Sequence, residues 1–162
     1  MDVAWRKGLA PEELTVEWTH AVQKLFLEGT GEQYFAGSIQ SLPVPRWEGN
    51  LMLFDSVEET PQSMRGLLWT TPFKEDTVRI VSFVLDPGSR NKGWGSQAWN
   101  ILIKSLAETQ YTTIQLEVRS TNEKAIKFYR KRGLEVIQEL YGYYSSGIGY
   151  LMRGPLQTID PQ

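Results

Sequence analysis

The chain has 162 residues, of which 41% are hydrophobic and 22% charged, so it reads as one globular domain over 1–162 rather than a disordered segment. Its 17 Lys plus Arg stand against 19 Asp plus Glu, and a net charge of -2 supplies no basic field for collecting nucleic acid. There is no cysteine and only one histidine, His20, which excludes disulfides, thiolate metal sites, Cys nucleophiles and a His-rich metal cage, and leaves a serine triad without support.

The first residues carry no basic start followed by an apolar stretch. No segment approaches the roughly 20 apolar residues of a membrane span, so the expectation is a cytoplasmic protein with no membrane partner. Residues 3–6 form a strand candidate. Pro11 then suits the first turn of a helix in which Leu14, Trp18, Ala21, Val22 and Leu25 recur at helical spacing until Gly29 stops it. His20, inside that helix, reads as solvent-facing or packing. Residues 30–49 show no period and read as loop, with room for one helical turn. Strands over 51–57, 64–71 and 77–85 are joined by short connections and should form an antiparallel meander.

A helix over 93–108 would bury Gly95, Ala98, Trp99, Leu102, Ile103 and Leu106 and turn Ser96, Asn100 and Lys104 outward. A strand over 112–118 follows. Ser120 and Glu123 then have the spacing of a capping box for a helix that Gly133 ends, and strands over 134–141 and 148–153 close the chain. This order implies an α/β fold: a mixed, mostly antiparallel central sheet of about seven strands with helices on both faces.

The segment 85–96 lies between a strand end and a helix start. Gly93 and Gly95 let backbone N–H groups approach an anion, the helix N-terminus adds partial positive charge, and Arg90 and Lys92 neutralise what arrives. The segment reads either as a diphosphate cradle or as a glycine-containing turn with two solvated bases. Gly93, Gly95 and Ala98 also match a dinucleotide fingerprint. That motif wants its first glycine directly after a strand in a parallel βαβ unit, whereas seven residues intervene here.

Arg90-x-x-Gly93-x-Gly95 resembles the acetyl-coenzyme A motif of the GCN5-related N-acetyltransferase (GNAT) superfamily. Residues 116–134, running Leu-Glu-Val-Arg-Ser-Thr-Asn-Glu-Lys-Ala-Ile-Lys-Phe-Tyr and ending in Arg-Lys-Arg-Gly-Leu, resemble the corresponding block of its RimI-like branch, which acetylates protein N-termini. Tyr143-Tyr144 and 150–153 resemble that branch's ending, whereas residues 1–76 carry no matching motif. The resemblance implies a GNAT-like fold, acetyl-CoA as acetyl donor, no metal, and a protein N-terminal α-amino group as acceptor.

It also implies roles. Glu117 would be the general base, directly or through water, and Tyr129 would protonate the departing thiolate. Phe83, Val84 and Leu85 would receive the thioester carbonyl on their backbone. Arg90, Asn91, Lys92, Gly93, Trp94, Gly95 and Ser96 would hold the diphosphate, and Asn122 would contact the pantetheine or diphosphate side. The alternatives are a small-amine acetyltransferase acting on a polyamine, amino acid or antibiotic, and an acyl-CoA binding module without turnover.

The residues carry plainer readings beside these. In the strand over 112–118, Thr113, Gln115, Glu117 and Arg119 share one face, which is either solvated or the lining of a cleft. Glu117 would otherwise be a structural partner of Arg119 or Arg153, and Tyr129 a core aromatic. Lys124, Lys127, Arg130, Lys131 and Arg132 form a basic run that reads as a solvated face, with Lys131 and Arg132 the candidates for meeting phosphate. Tyr141, Tyr143, Tyr144 and Tyr150 would wall an acceptor site or be ordinary strand residues.

Overall fold

A computed structural model of the chain describes residues 3–144 and 147–156. The strands are β1 (Ala4–Lys7), β2 (Asn50–Phe54), β3 (Met64–Lys74), β4 (Thr77–Leu85), β5 (Thr113–Arg119), β6 (Glu135–Tyr144) and β7 (Gly147–Pro155), hydrogen-bonded in the order β1-β2-β3-β4-β5-β7-β6. The helices are α1 (Val16–Thr30), α2 (Ala36–Gln40), α3 (Trp94–Leu106) and α4 (Glu123–Lys131). This is the expected mixed α/β architecture with seven strands and flanking helices: β4 and β5 are parallel, while β1 with β2, β2 with β3, β5 with β7 and β6 with β7 are antiparallel.

Packing groups the described residues into two compact units: residues up to Thr71 with Val81–Leu102, and Pro72–Ile80 with residues from Ile103 on. In the first unit, α1 lays Val22, Leu25 and Phe26 against Met52, Phe54, Leu67 and Trp69, all buried. Trp18 meets Phe54 and Phe26 meets Trp69 edge to face, with ring centroids at 6.1 and 6.2 Å. His20 is exposed on this helix. In the second unit, Ile114, Leu116 and Val118 of β5 are buried together with Ile126, Tyr129, Leu134 and Met152.

Two helix starts differ from the sequence expectation. Pro11 opens only a 3-10 turn, Pro11–Glu13, because Leu14 leaves it extended at φ -66° and ψ 130°. The α-helix begins after Thr15, whose Oγ1 accepts the Trp18 N–H at 3.3 Å. It ends not at Gly29 but at Gly31, whose φ of 78° is the left-handed conformation glycine adopts without strain. Gly29 lies inside the last turn for a packing reason: a Cβ there would stand 2.4 Å from Val84 Cγ1 and 3.2 Å from the Leu85 carbonyl oxygen.

The second difference is at α4. Ser120 does not cap it, since its N–H still donates to the Ile148 carbonyl at 2.9 Å and holds the chain in the sheet. Asn122 is the cap, its Oδ1 accepting the Ala125 N–H at 3.2 Å. Gly133, at φ 93°, does terminate the helix as expected. The single helical turn allowed for in 30–49 is α2.

Candidate active site

The end of β4, a turn and the start of α3 form one continuous segment in the first unit. Asp86 is the last residue tied to β3, its N–H donating to the Arg65 carbonyl at 2.8 Å. Pro87–Ser89 then make one 3-10 turn, and Asn91 and Gly93 both take left-handed conformations, at φ 61° and 85°. A Cβ on Gly93 would meet nothing within 4 Å, so glycine is required there by backbone conformation and not by space. Asn91, Lys92 and Gly93 are exposed immediately before the 13-residue α3. Alternating conformations just ahead of a helix N-terminus turn successive N–H groups to one side, the arrangement that receives anions.

Side chains brace this turn. Arg90 donates through Nη2 to the Gly29 carbonyl in the last turn of α1, so one of its five donors is committed to the fold. Trp5 Nε1 donates to the Trp94 carbonyl at 2.9 Å and pins the first turn of α3. Val84 is buried, while Phe83, Leu85, Trp94, Gly95 and Ser96 are half-buried.

In the second unit the polar row of β5 is a built feature. Arg79 of β4 holds Glu117, with Nε donating to Oε1 at 3.1 Å and Oε2 at 3.3 Å and Nη2 donating to Oε1 at 2.5 Å. The side chains are 24% and 13% exposed, which makes this a largely withdrawn ion pair. Arg153 of β7 donates from Nε and Nη2 to Gln115 Oε1 at 3.2 and 2.9 Å. Arg153 is thus engaged by Gln115, and the guanidinium gripping Glu117 comes from Arg79, a residue the sequence alone did not single out. The available signal was one arginine inside the apolar run Val78-Arg79-Ile80; its significance needs the parallel register Arg79↔Gln115.

Tyr129 and Asn122 lie on the turn and helix that follow β5. Tyr129 is 7% exposed, packs edge to face on Phe128 at 5.5 Å, and its carbonyl accepts the N–H groups of Arg132 and Leu134 at 3.0 and 3.1 Å. Asn122 spends its side-chain oxygen on the helix cap. Arg132 is not available for phosphate: it is buried, its guanidinium lies 3.6 Å from the Phe128 ring centroid, and Nη1 donates to the Phe128 carbonyl at 3.1 Å. Lys124, Lys127, Arg130 and Lys131 are exposed.

Tyr141 is exposed and donates its hydroxyl to Glu139 at 2.6 Å, a bond that raises the phenol above its ordinary range. Tyr150 is half-buried, and the side chains of Tyr143 and Tyr144 lie outside the description. Among the described residues, no group of three or more His, Asp or Glu could hold a metal ion, and no helix is long and apolar enough to cross a membrane.

Comparison with known proteins agrees with this architecture. A sequence search of curated proteins returned no match. Ard1 from Thermoplasma volcanium is similar at a TM-score of 0.80 and 22% identity, over 97% of this chain and 99% of that one. The ribosomal-protein-S18-alanine N-acetyltransferase from Escherichia coli follows at 0.72 and 17%, over 99% and 97%. Arabidopsis thaliana Naa50, in complex with the bisubstrate analogue CoA-Ac-MVNAL, superposes at 0.68 and 19%, over 94% and 98%. The acetyltransferase (GNAT) family model matches residues 9–134, more than half of the chain and including both the 83–96 segment and Glu117 to Tyr129. The chain is therefore a member of the GNAT acetyltransferase family.

Proposed function

We propose that the chain moves the acetyl group of acetyl-CoA to the N-terminal α-amino group of a protein, its two units serving this activity as one domain. The observation that carries the donor is the turn at Asn91 and Gly93, left-handed at both positions and leading directly into α3. Its exposed backbone and helix end suit a diphosphate, with Arg90 and Lys92 adding charge. Asn91, Trp94, Gly95 and Ser96 complete the cradle. The acceptor assignment is supported by two of the similar structures, one named for S18 alanine acetylation and one holding CoA-Ac-MVNAL.

Acetyl-CoA supplies the activated acyl group. Glu117, directly or through water, takes one proton from the acceptor ammonium, and the amine lone pair attacks the thioester carbon. Backbone N–H groups of Phe83 to Leu85 would stabilise the oxyanion. As the C–S bond breaks, Tyr129 protonates the leaving thiolate and regains a proton from the amide nitrogen being formed. One amide, one thiol and one released proton result.

An α-amino group has a pKa of about 7.7 to 8.0 against about 10.4 for lysine, so deprotonating it near neutrality costs about 3.4 kcal/mol less. A carboxylate base therefore serves the α-amine more easily. Thiol release measured over a panel of free-N-terminal peptides, polyamines, amino acids and aminoglycosides tests the assignment. Release with peptides above the small amines is expected. Release with small amines alone would replace the acceptor, and acetyl-CoA binding with no release across the panel would leave a binding module.

A further inference from the structure

Glu117 depends on a residue that the reaction has not yet used. Arg79 stands in parallel register with Gln115, and Glu117 lies two positions further on β5, on the same face of the strand. Gln115 does not compete for Arg79 through its amide oxygen, because Arg153 engages that oxygen from β7. The Arg79 fork makes three contacts to the Glu117 carboxylate. Three contacts between two planar groups fix both the position and the plane of that carboxylate, which one ammonium donor could not do. Of these Arg79 contacts, two, at 2.5 and 3.1 Å, reach Oε1 and one, at 3.3 Å, reaches Oε2.

The geometry points to Arg79 as a positioning residue for acetyl transfer, one that fixes the plane in which the Glu117 carboxylate meets the acceptor's proton. This rests on Glu117 being the base of the proposed function. The proton leaves the ammonium nitrogen, passes directly or through one water to the Glu117 carboxylate, and is returned to solvent after the amide forms. Arg79 exchanges no proton and touches neither substrate; its contribution is the orientation of the carboxylate. Withdrawn from water on both sides, the pair holds one geometry better than an exposed pair would.

A double-mutant cycle tests this with the full-length protein, acetyl-CoA and the most active acceptor of the panel. Arg79→Met is expected to lower kcat by about 10- to 100-fold, a fraction of the roughly 100- to 10,000-fold that a general base contributes. KM for acetyl-CoA should stay unchanged. Arg79→Lys should recover part of the loss, since it keeps the charge without the fork. In a Glu117→Gln background neither Arg79 substitution should lower kcat further, because the carboxylate they would misplace is gone. Circular dichroism checks that each variant is folded. If Arg79→Met does not fold, the same cycle run with Arg79→Lys decides.

Losses that multiply in the double variant would overturn the proposal by showing that Arg79 acts independently of Glu117. A slow Glu117→Gln enzyme beside a fully active Arg79→Met or Arg79→Lys enzyme would overturn it too, while leaving the base in place. Wild-type kcat in Glu117→Gln would instead remove the base reading itself, and this inference with it.

Discussion

The turn before α3 and the polar row on β5 make contrasting uses of the chain. In the turn, the features suited to a ligand are backbone: two left-handed residues within the exposed run Asn91 to Gly93 and a helix end, braced by Trp5 and by Arg90 of the turn itself. In the row, they are side chains: a guanidinium and a carboxylate fixed against each other, with a second arginine holding the neighbouring amide. A site made of backbone should tolerate changes of side-chain chemistry and fail when its conformation is disturbed. A site made of side chains should keep its fold and lose its chemistry when one functional group is exchanged for a neutral isostere.

The largest effect is expected on the side-chain site. Glu117→Gln should lower kcat by about 100- to 10,000-fold with acetyl-CoA affinity intact. Tyr129→Phe, read in the same steady-state and calorimetric measurements, should follow the same pattern; an unaltered kcat would return Tyr129 to the role of a buried core aromatic. Next comes the backbone site. Gly93→Val places a β-branched residue at φ 85°, a strain of about 1 to 3 kcal/mol. If binding requires that conformation, acetyl-CoA Kd should rise about tenfold or more, while kcat at saturation holds. Asn91→Gly, which permits the left-handed conformation, should leave Kd unchanged. Equal losses in both variants would contradict a cradle made of backbone.

Smaller effects sharpen the same contrast. Gly29→Ala drives a Cβ to 2.4 Å from Val84 Cγ1 at the end of β4, and overpacking of this kind costs about 1 to 3 kcal/mol, visible in the denaturant midpoint. Asn122→Ala removes the α4 cap and should cost about 1 kcal/mol of stability. Its acetyl-CoA affinity should be that of the wild type; a tenfold loss would give Asn122 the coenzyme contact that the resemblance implies.

Most of this architecture was legible because it is written in local pattern. The strand over 77–85 matches β4 residue for residue, and Gly133 ends its helix as its position suggested. The helix starts were misplaced where two local signals competed. Pro11 fits a 3-10 turn as well as an α-helix, and the Ser120–Glu123 spacing mimics a capping box while the Ser120 N–H remains bonded to Ile148. The 85–96 segment could be singled out because glycine and helix-start signals are sequential neighbours. Arg79 could not, since its partner lies 38 residues away and meets it only through a parallel ladder. Arg132 is the opposite case, because its partner is local: it reads as a phosphate candidate by charge, yet Phe128, four residues earlier, takes its guanidinium on the ring and its Nη1 on the carbonyl.

Fragmentation spectra of an acetylated peptide that carries both a free N-terminus and internal lysines test the central assignment most directly. The expected result is a single acetyl group on the α-amino nitrogen, with the lysines unmodified. Acetyl groups on internal lysines, with the α-amine left free, would contradict it.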